Sequence, residues 1–198
     1  MFYIAVGGFS FILGYLRDLA DVRNRVVIKK VLGLASISLA IFSTVMLSIR
    51  SPLLPLPHFL SLAAWPVFGV FALLFVYSVY IEIQLSQSRQ DSKEKRLVTT
   101  GTYALSRHPT FLWSVLAMGF LVLATRSQYL LIAWPLWSIL ELVWVWLQDR
   151  FFLPATFAEY DQYRQSTPML VPTGKSLRRC LTSLRGAVSM EKANRGES

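Results

Sequence analysis

The sequence predicts an all-α integral membrane protein with about five transmembrane helices, and three observations support this prediction. The mean hydropathy of the 198 residues is +0.47. Only 16% of the residues are charged, whereas charged residues make up about a quarter of an ordinary soluble domain. The apolar residues also fall into long blocks, and the basic residues lie between these blocks.

Five apolar blocks are the candidate membrane spans: residues 2–16, 31–49, 59–81, 111–124 and 129–147. A helix needs roughly 20 apolar residues to cross ~30 Å of hydrocarbon, and the second, third and fifth blocks meet this length. The first block is short for a span, and the Arg107-His108-Pro109 turn extends the fourth on its N-terminal side. Because only Thr125–Gln128 separate the fourth block from the fifth, we expect these two to form a helical hairpin.

The distribution of basic residues predicts the orientation of the chain in the membrane. All of the 20 Lys and Arg residues except Arg50 and Arg126 follow the first, third or fifth block. The positive-inside rule then places the N-terminus outside and the C-terminus in the cytoplasm. The net charge of +9 is explained by this topology, so nucleic-acid binding is not expected. A bacterial inner membrane is the expected location, and no cleavable signal peptide is evident because no basic residue precedes the first block.

We divide the chain into N-terminal helices with an outer loop (1–58), a membrane core (59–172) and a basic tail (173–198). The outer loop, residues 51–58, carries three prolines and is predicted to be rigid and non-helical, with His58 structural. Residues 84–96 are expected to extend the third helix into the cytoplasm. In the tail, apolar residues recur at helical spacing among basic ones, which predicts either an amphipathic helix on an anionic membrane face or a loosely ordered tail: Leu177, Cys180, Leu181, Leu184 and Val188.

Cysteine, tryptophan and glycine residues exclude some kinds of site. Cys180 is the single cysteine, which excludes an internal disulfide and a cysteine metal cluster; a bystander thiol is favoured over a palmitoylation site. Gly7-Gly8 lie in the first span without the strand–turn–helix context of a dinucleotide fold. Four tryptophans are predicted to be lipid contacts or interfacial anchors rather than cofactor contacts: Trp134, Trp137, Trp144 and Trp146.

A functional site is predicted at one membrane boundary, within residues 97–113. Pro109 suits the first position of the fourth span, and the N-terminus of that helix offers unpaired N–H groups with a partial positive charge. With Arg107 and His108 beside it, this end suits an anionic group such as a carboxylate or phosphate. Gly101 permits a tight turn, and Tyr103 adds an aromatic face with a hydroxyl. The structural alternative is that Arg107 snorkels to lipid phosphates and His108 caps the helix.

A second polar region, residues 148–172, follows the fifth block. Asp149 lies where this helix leaves the membrane, and the hairpin would bring it back to the boundary that holds His108. It would then face the basic cluster across a pocket, or form an ion pair with Arg150 or Arg107. Glu141 lies about two turns inside the fifth span, where a carboxylate is costly and commonly functional. It is a candidate base toward an acceptor, a partner for Arg107, or a hydrogen-bonding group for a neighbouring helix.

The segment Leu97-Val-Thr-Thr-Gly101-x-Tyr103, followed by Arg107-His108-Pro109, resembles the signature of the isoprenylcysteine carboxyl methyltransferase family and its phospholipid-methyltransferase relatives. The later region resembles the acidic pair, the Phe-Gly-Glu-Glu-Tyr-x-x-Tyr motif and the Val-Pro motif of that family, and the resemblance covers roughly residues 60–172. It implies a membrane enzyme that binds S-adenosylmethionine at the cytoplasmic boundary and methylates a lipidic or small hydrophobic acceptor. The cofactor-lining residues that it implies are Lys95, Arg96, Leu97, Val98, Tyr103, His108, Pro109, Thr110, Phe111 and either Asp149 or Gln148.

Methyl transfer from a sulfonium is an in-line displacement, so the protein mainly has to position the acceptor and exclude water. The cofactor's carboxylate suits the helix N-terminus and His108, its ribose hydroxyls or ammonium suit Asp149, and Arg107 would orient an anionic acceptor. The chain departs from the family pattern in several places: Phe111 and Trp113 replace a tyrosine and a glycine, Gln148 stands in the acidic pair, and Ala158 replaces a glycine. Residues 141–146 also lack the arginine of prenylcysteine-specific members, so prenylcysteine is not the expected substrate.

Two other functions compete with methyl transfer. One is an NAD(P)H-dependent membrane reductase of the sterol or steroid type, whose C-terminal half resembles the same family. The chain is short for that class and shows no extra basic cluster for a 2′-phosphate. The other is a non-catalytic membrane accessory protein, which the altered acidic pair favours. Cofactor binding distinguishes the methyltransferase from the reductase, and turnover distinguishes both enzymes from the accessory protein.

Overall fold

The computed structural model describes residues 1–82 and 97–183, and within them all regular secondary structure is helical. The only pairing of the β type in this part is an isolated bridge between Leu53 and Ser127. The helices are α1 (Phe2–Val22), α2 (Val26–Ile49), α3 (His58–Val76) with a π-helical turn (Tyr77–Glu82), α4 (Thr102–Leu105), α5 (Pro109–Thr125), α6 (Gln128–Leu147) with a π-helical turn (Gln148–Phe152), α7 (Leu153–Thr156) and α8 (Tyr160–Ser166). A further helix, α9, covers residues 174–183.

Within residues 1–82 and 97–183, four helical segments are long and apolar enough to cross a membrane: Phe2–Val22, Val26–Ile49, His58–Glu82 and Gln128–Thr156. The first segment extends beyond the predicted block 2–16, because Arg17 and Asp18 form an ion pair within the helix. The Arg17 guanidinium lies 2.9 Å from the Asp18 carboxylate. Helix α5 is apolar but has 17 residues, so at 1.5 Å per residue it measures only about 26 Å. The described part of the chain therefore has four candidate membrane-spanning helices, which supports a membrane protein, and a fifth span remains a prediction.

Two compact units make up the chain. The first unit contains Met1–Leu73 and Trp113–Thr156, and the second contains Leu74–Leu112 and Phe157–Ser198. Helices α3 and α5 each contribute residues to both units. The functional residues predicted from the sequence are therefore divided between the units, and each unit is described separately below.

The first unit has an apolar core in which α2, α5 and α6 contribute the buried residues Leu47, Leu121, Val122, Leu130, Ala133 and Trp137. Ser127 stabilises the start of α6, since its hydroxyl accepts from the Leu130 N–H at 3.0 Å and donates to the Leu47 carbonyl at 2.9 Å. Residues 51–57 are not helical, which confirms that the predicted loop is non-helical up to the start of α3 at His58.

Glycines of α1 allow tryptophans of α6 to pack closely against it. A Cβ atom at Gly7 would lie 2.0 Å from the ring of Trp137, and one at Gly14 would lie 2.9 Å from the ring of Trp144. Small residues of this kind let membrane helices approach one another. The Trp137 indole also donates to the Ile4 carbonyl at 3.0 Å. Because Trp137 is only 7% exposed, its prediction as a lipid contact is wrong.

The other predicted tryptophan anchors differ from one another. Trp134 donates to the Val115 carbonyl at 2.9 Å, and Trp144 donates to the Asp18 carboxylate at 2.7 Å. These two indoles therefore join helices as well as filling apolar space, because a buried indole N–H needs an acceptor. Trp146 is exposed on the helix surface, as a lipid contact would be.

The described part of the predicted tail is helical, but it does not present one apolar face. Cys180 is buried, whereas Leu177 and Leu181 are about half exposed. Burial of Cys180 contradicts the palmitoylation alternative, which needs an accessible thiol. The predicted face also included Leu184 and Val188, and these lie outside the described residues, as does the predicted helical extension over 84–96.

Candidate functional site

The turn at Gly101 is fixed by a buried carboxylate that the sequence prediction missed. Gly101 has φ +61°, and the next residue, Thr102, donates its backbone N–H to Glu82 Oε1 at 2.7 Å. The Thr102 hydroxyl also donates to Glu82. A Cβ atom at position 101 would lie 1.8 Å from Glu82 Oε1, so glycine is required both by its backbone angle and by the space. The predicted tight turn is confirmed.

Glu82 could have been found from the sequence. It is the first acidic residue after a long apolar block, 59–81, and a carboxylate at the end of such a block needs a hydrogen-bonding partner in the fold. The residues able to supply it were already in the predicted site, since Gly101 and Thr102 belong to the segment 97–113. The missing step was to connect the end of one helix with a turn about 20 residues later.

Tyr103 joins α4 to the π-helical turn at the end of α3. Its hydroxyl donates to the Ser78 carbonyl at 3.2 Å, and the hydroxyls of Ser78 and Thr102 lie 3.0 Å apart. Burial, with a smaller contribution from the negative charge of Glu82, raises the pKa of Tyr103 well above its usual range. Tyr103 therefore stays protonated and acts as a hydrogen-bond donor at neutral pH.

Tyr163 of α8 also holds the segment that follows Gly101. It is buried, and its hydroxyl donates to the Tyr103 carbonyl at 2.6 Å. Burial raises the pKa of Tyr163, and the neighbouring Tyr160, Tyr103 and Glu82 raise it further, whereas the positive charge of Arg107 lowers it. The structure thus brings Arg107, Tyr103 and Tyr163 into one electrostatic environment.

The Arg107-His108-Pro109 segment is held by the stretch that follows α8. Arg107 donates its backbone N–H to the Pro168 carbonyl at 2.9 Å, and His108 donates to the Met169 carbonyl at 3.3 Å. The Ser106 hydroxyl reaches the same Met169 carbonyl at 2.8 Å. Two regions singled out from the sequence, 97–113 and the end of 148–172, therefore meet in the second unit.

Helix α5 begins at Pro109, as predicted. His108 is only 6% exposed, and its carbonyl accepts from the Phe111 N–H at 3.2 Å. Among the other residues predicted to line the cofactor, Val98 is buried and Thr110 and Phe111 are partly buried. Lys95 and Arg96 lie outside the described residues.

A pocket of about 420 Å³ lies beside this loop within the second unit. Its walls carry a guanidinium, a carboxylate, an amide and several hydroxyls, and Arg179 donates to the Ser166 carbonyl at 2.6 Å. Of the residues predicted to contact the cofactor, Leu97 lines this pocket. The complete lining is Leu97, Thr99, Ala104, Glu159, Gln162, Tyr163, Ser166, Thr167, Arg179 and Ser183.

The remaining predicted residues belong to the first unit. The Ser114 hydroxyl of α5 lies 2.7 Å from both carboxylate oxygens of Glu141, so Glu141 has the predicted hydrogen bond to a neighbouring helix. Asp149 is buried in the π-helical turn that follows α6. The predicted pairing of Asp149 with His108 joins residues of different units and stays a prediction.

Gln148 is engaged by a second carboxylate that the sequence prediction missed. Its side-chain amide donates to Asp18 Oδ2 at 2.6 Å, the atom that also accepts from Trp144. Arg17 donates to the other oxygen at 2.9 Å. Gln148 therefore helps to hold α6 against α1, a structural contact that its place in the acidic pair does not indicate.

Within the described ranges, 1–82 and 97–183, no group of three or more His, Cys, Asp or Glu side chains is arranged to hold a metal ion. Burial, followed by the negative charge of Glu82, raises the pKa of Cys180. This thiol therefore stays protonated at neutral pH and is a poor metal ligand.

Comparison with known protein families gives a match over most of the chain. The sequence model of a family described as "Protein of unknown function (DUF1295)" matches residues 19–166. No curated protein and no solved structure matches the chain.

Proposed function

We propose that this chain, which belongs to the family described as a protein of unknown function (DUF1295), transfers a methyl group from S-adenosylmethionine to a lipidic or small hydrophobic acceptor at a membrane boundary. One observation carries the proposal. The segment that resembles the methyltransferase signature forms a fixed loop at the start of an apolar helix. Glu82 holds the loop at Thr102, and Pro168 and Met169 hold it at Arg107 and His108.

The start of α5 supports binding of an anionic group. The first N–H groups of a helix lack intrahelical acceptors and carry a partial positive charge. Buried His108 stands next to Pro109 at this end, and Arg107 adds a positive charge. A carboxylate such as that of S-adenosylmethionine suits this arrangement. The pocket beside Leu97, at about 420 Å³, is within the range of roughly 300–1,000 Å³ typical of small-molecule sites.

When bound, S-adenosylmethionine would supply an electrophilic methyl group together with a neutral thioether leaving group, and an acceptor that carries a proton would need a base of the protein to take it. The residues of the chain have to orient the acceptor and exclude water. We assign Arg107 to orientation of an anionic acceptor. We assign Glu141 as the base, since it is a carboxylate inside a helix of membrane-spanning length, where its side chain accepts from the Ser114 hydroxyl at 2.7 Å.

The membrane supports a greasy acceptor. The site loop leads directly into an apolar helix, so an acceptor dissolved in lipid reaches it without crossing water. Residues 141–146 lack an arginine that would hold the free carboxylate of a prenylcysteine. We therefore propose a lipid or a small hydrophobic molecule as the acceptor. The positive-inside pattern of the sequence supports a cytoplasmic location for this side of the protein.

A non-catalytic accessory protein is the second candidate, and one observation favours it. The Gln148 amide donates to Asp18, so a position that corresponds to the acidic pair serves helix packing instead of a ligand. If the accessory function is correct, the fixed loop at Gly101 and His108 is a structural element and binds no cofactor.

The experiment is calorimetric titration of S-adenosylmethionine into the purified protein in lipid nanodiscs. We expect His108→Ala and Asp149→Ala to weaken binding at least about tenfold, or about 1.4 kcal/mol. The matched controls are His58→Ala and Asp161→Asn, which change exposed side chains and should leave the affinity unchanged. Gel filtration of each variant verifies that it remains folded.

Each other result has a definite meaning. Binding of a reduced nicotinamide in place of S-adenosylmethionine would replace the proposal with the reductase function. Binding of neither by folded protein would favour the accessory function. Equal weakening by the controls would show that the predicted residues do not form the site.

A further inference from the structure

Helix α9 presents three different edges. With 3.6 residues per turn, one edge carries Ser176 and Cys180, which are buried at 1% and 7% exposure. A second edge carries Leu177 and Leu181, which are 50% and 51% exposed. The exposed Lys175 and Arg178 form a third, basic edge. A helix that needed only to cover the second unit would have no reason to display two leucines one turn apart.

The buried edge is anchored firmly, so α9 is a fixed element and not a loose tail. At its start, the Thr173 N–H donates to the Ser176 hydroxyl at 2.9 Å, and the Ser176 N–H donates to the Thr173 hydroxyl at 3.2 Å. This reciprocal cap stabilises the first turn. At the other end, Ser183 accepts from the Gly101 N–H at 2.9 Å. The helix therefore touches the site loop directly.

The leucine edge and the basic edge together fit one kind of surface. Apolar side chains flanked by Lys and Arg are typical of helices that lie in the membrane interface, where the leucines enter the acyl region and the cations reach lipid phosphates. Val171, just before the helix, is also exposed, at 76%. The chain carries four helices of membrane length, so a lipid surface is always within reach of the protein.

We propose that α9 lies on an anionic lipid surface, with Leu177 and Leu181 inserted among the acyl chains and Lys175 and Arg178 at the headgroups. Docking in this way adds to the internal contacts that hold Ser183 against Gly101. Anionic lipid thereby controls how often the turn at Gly101 opens. This inference does not depend on the proposed methyl transfer, since it concerns a surface and a hydrogen bond that exist whatever the site binds.

The first test needs no substitution. Hydrogen–deuterium exchange of the backbone over residues 97–105 and 174–183 is compared in nanodiscs that hold one protein each, made of phosphatidylcholine alone or with added phosphatidylglycerol. We expect slower exchange in both segments when the anionic lipid is present. Equal exchange rates in the two kinds of disc would overturn the proposed control of the site loop.

The second test locates the leucine edge. In a Cys180→Ser background, Leu177→Cys and Thr182→Cys are labelled with bimane, and nitroxide-bearing acyl chains serve as the quencher. We expect a larger loss of fluorescence at position 177 than at 182, and a larger loss in anionic discs than in neutral ones. Equal quenching at both positions would overturn insertion. It is the result expected if a protein partner, and not lipid, covers the leucine edge.

The basic edge is tested by charge removal. Each Lys or Arg near an anionic surface contributes about fivefold to the docking equilibrium, so Lys175→Gln with Arg178→Gln should weaken docking about 25-fold. The matched control is Arg23→Gln with Arg25→Gln, which removes the same charge from exposed positions of the first unit. A loss of quenching at position 177 that is equal in both double variants would contradict a specific role for α9.

Discussion

Two buried carboxylates in this protein perform different tasks although their positions look alike. Glu82 and Asp18 each lie near the end of an apolar helix and are 6% and 7% exposed. Glu82 accepts from the backbone N–H and the hydroxyl of Thr102. Asp18 accepts from the side chains of Trp144 and Gln148 in another helix. One carboxylate therefore determines the path of a loop, and the other joins two helices.

The difference shows how to interpret an acidic residue in a membrane helix. Such residues are rare and are usually taken as functional, yet each of these two has hydrogen-bonding partners that account for its burial. What distinguishes them is the nature of the partner. A backbone donor ties Glu82 to the conformation of the segment predicted as the site, whereas side-chain donors leave Asp18 as a packing residue. Glu82 is therefore linked more directly to the predicted site than Asp18 is, although neither carboxylate is proposed to touch a substrate.

The largest effect is expected from replacing the two carboxylates. Glu82→Ala removes the hydrogen bonds that this carboxylate accepts from the N–H and the hydroxyl of Thr102; each is worth about 1.5–3 kcal/mol, so we expect a loss of about 3–6 kcal/mol in the free energy of unfolding. Asp18→Ala should cost about 2 kcal/mol, because its side-chain donors can rotate toward other acceptors. Unfolding in mixed detergent micelles, followed by tryptophan fluorescence, measures both changes.

Hydrogen exchange separates the two tasks more sharply than total stability does. Glu82→Ala should speed exchange in residues 97–105, and Asp18→Ala should speed it in α1. Glu82→Gln, which keeps one acceptor, serves as the conservative control and should restore part of the protection. The comparison would be wrong if Asp18→Ala loosened the Gly101 turn as much as Glu82→Ala does.

An intermediate effect is expected from glycine substitutions in the same two places. In Gly101→Ala, the new Cβ would meet Glu82 at 1.8 Å, and a positive φ adds about 1–2 kcal/mol of strain; we expect a loss of about 3 kcal/mol or more. In Gly14→Ala, the contact with Trp144 is at 2.9 Å, and overpacking of that kind costs about 1–3 kcal/mol.

Gly69→Ala is the matched control for this series. No atom lies within 4 Å of the new Cβ, so the change should stabilise the helix by up to about 1 kcal/mol. Thermal unfolding midpoints of the three variants in one detergent test the order. A Gly101→Ala protein as stable as Gly69→Ala would show that Glu82 does not confine the turn.

Much of this architecture was accessible from the sequence because it depends on local chemistry. Apolar blocks of sufficient length predict helices, Pro109 predicts the start of α5, and Gly101 predicts a turn. The segment 97–113 was therefore identified together with several of its structural features. The ends of the spans could not be predicted in the same way. They depend on paired charges such as Arg17 and Asp18, at which a hydropathy pattern ends the apolar block.

The missed residues depend on contacts between distant parts of the chain. The apolar block before Glu82 shows that its carboxylate needs a partner, but it does not identify Thr102 as that partner, and nothing near Asp18 indicates Gln148. The tryptophans were assigned to lipid because composition cannot distinguish an indole that faces acyl chains from one that fills the space above Gly7 or Gly14. Helix periodicity predicted α9 as one of two alternatives, but it could not show that Ser183 of this helix bonds to Gly101, which lies 82 residues earlier in the chain.

The smallest effect is expected from Tyr163→Phe, which removes the hydrogen bond from α8 to the segment after Gly101. At neutral pH the variant loses one hydrogen bond, to the Tyr103 carbonyl, worth about 1 kcal/mol. Burial raises the pKa of Tyr163, so the unfolded chain loses this proton first, near pH 10. The stability that Tyr163 contributes is therefore complete below about pH 10 and is lost as the pH rises further.

Tyr163→Phe should consequently be less stable than the wild type at neutral pH and should approach it above about pH 10. Tyr15→Phe, which removes the same hydroxyl from the first unit, is the matched control and tests whether this alkaline convergence belongs to the Gly101 turn. Unfolding measured from neutral pH to about pH 11 checks the prediction. A stability difference that stays constant over this range would show that Tyr163 is not shielded from water.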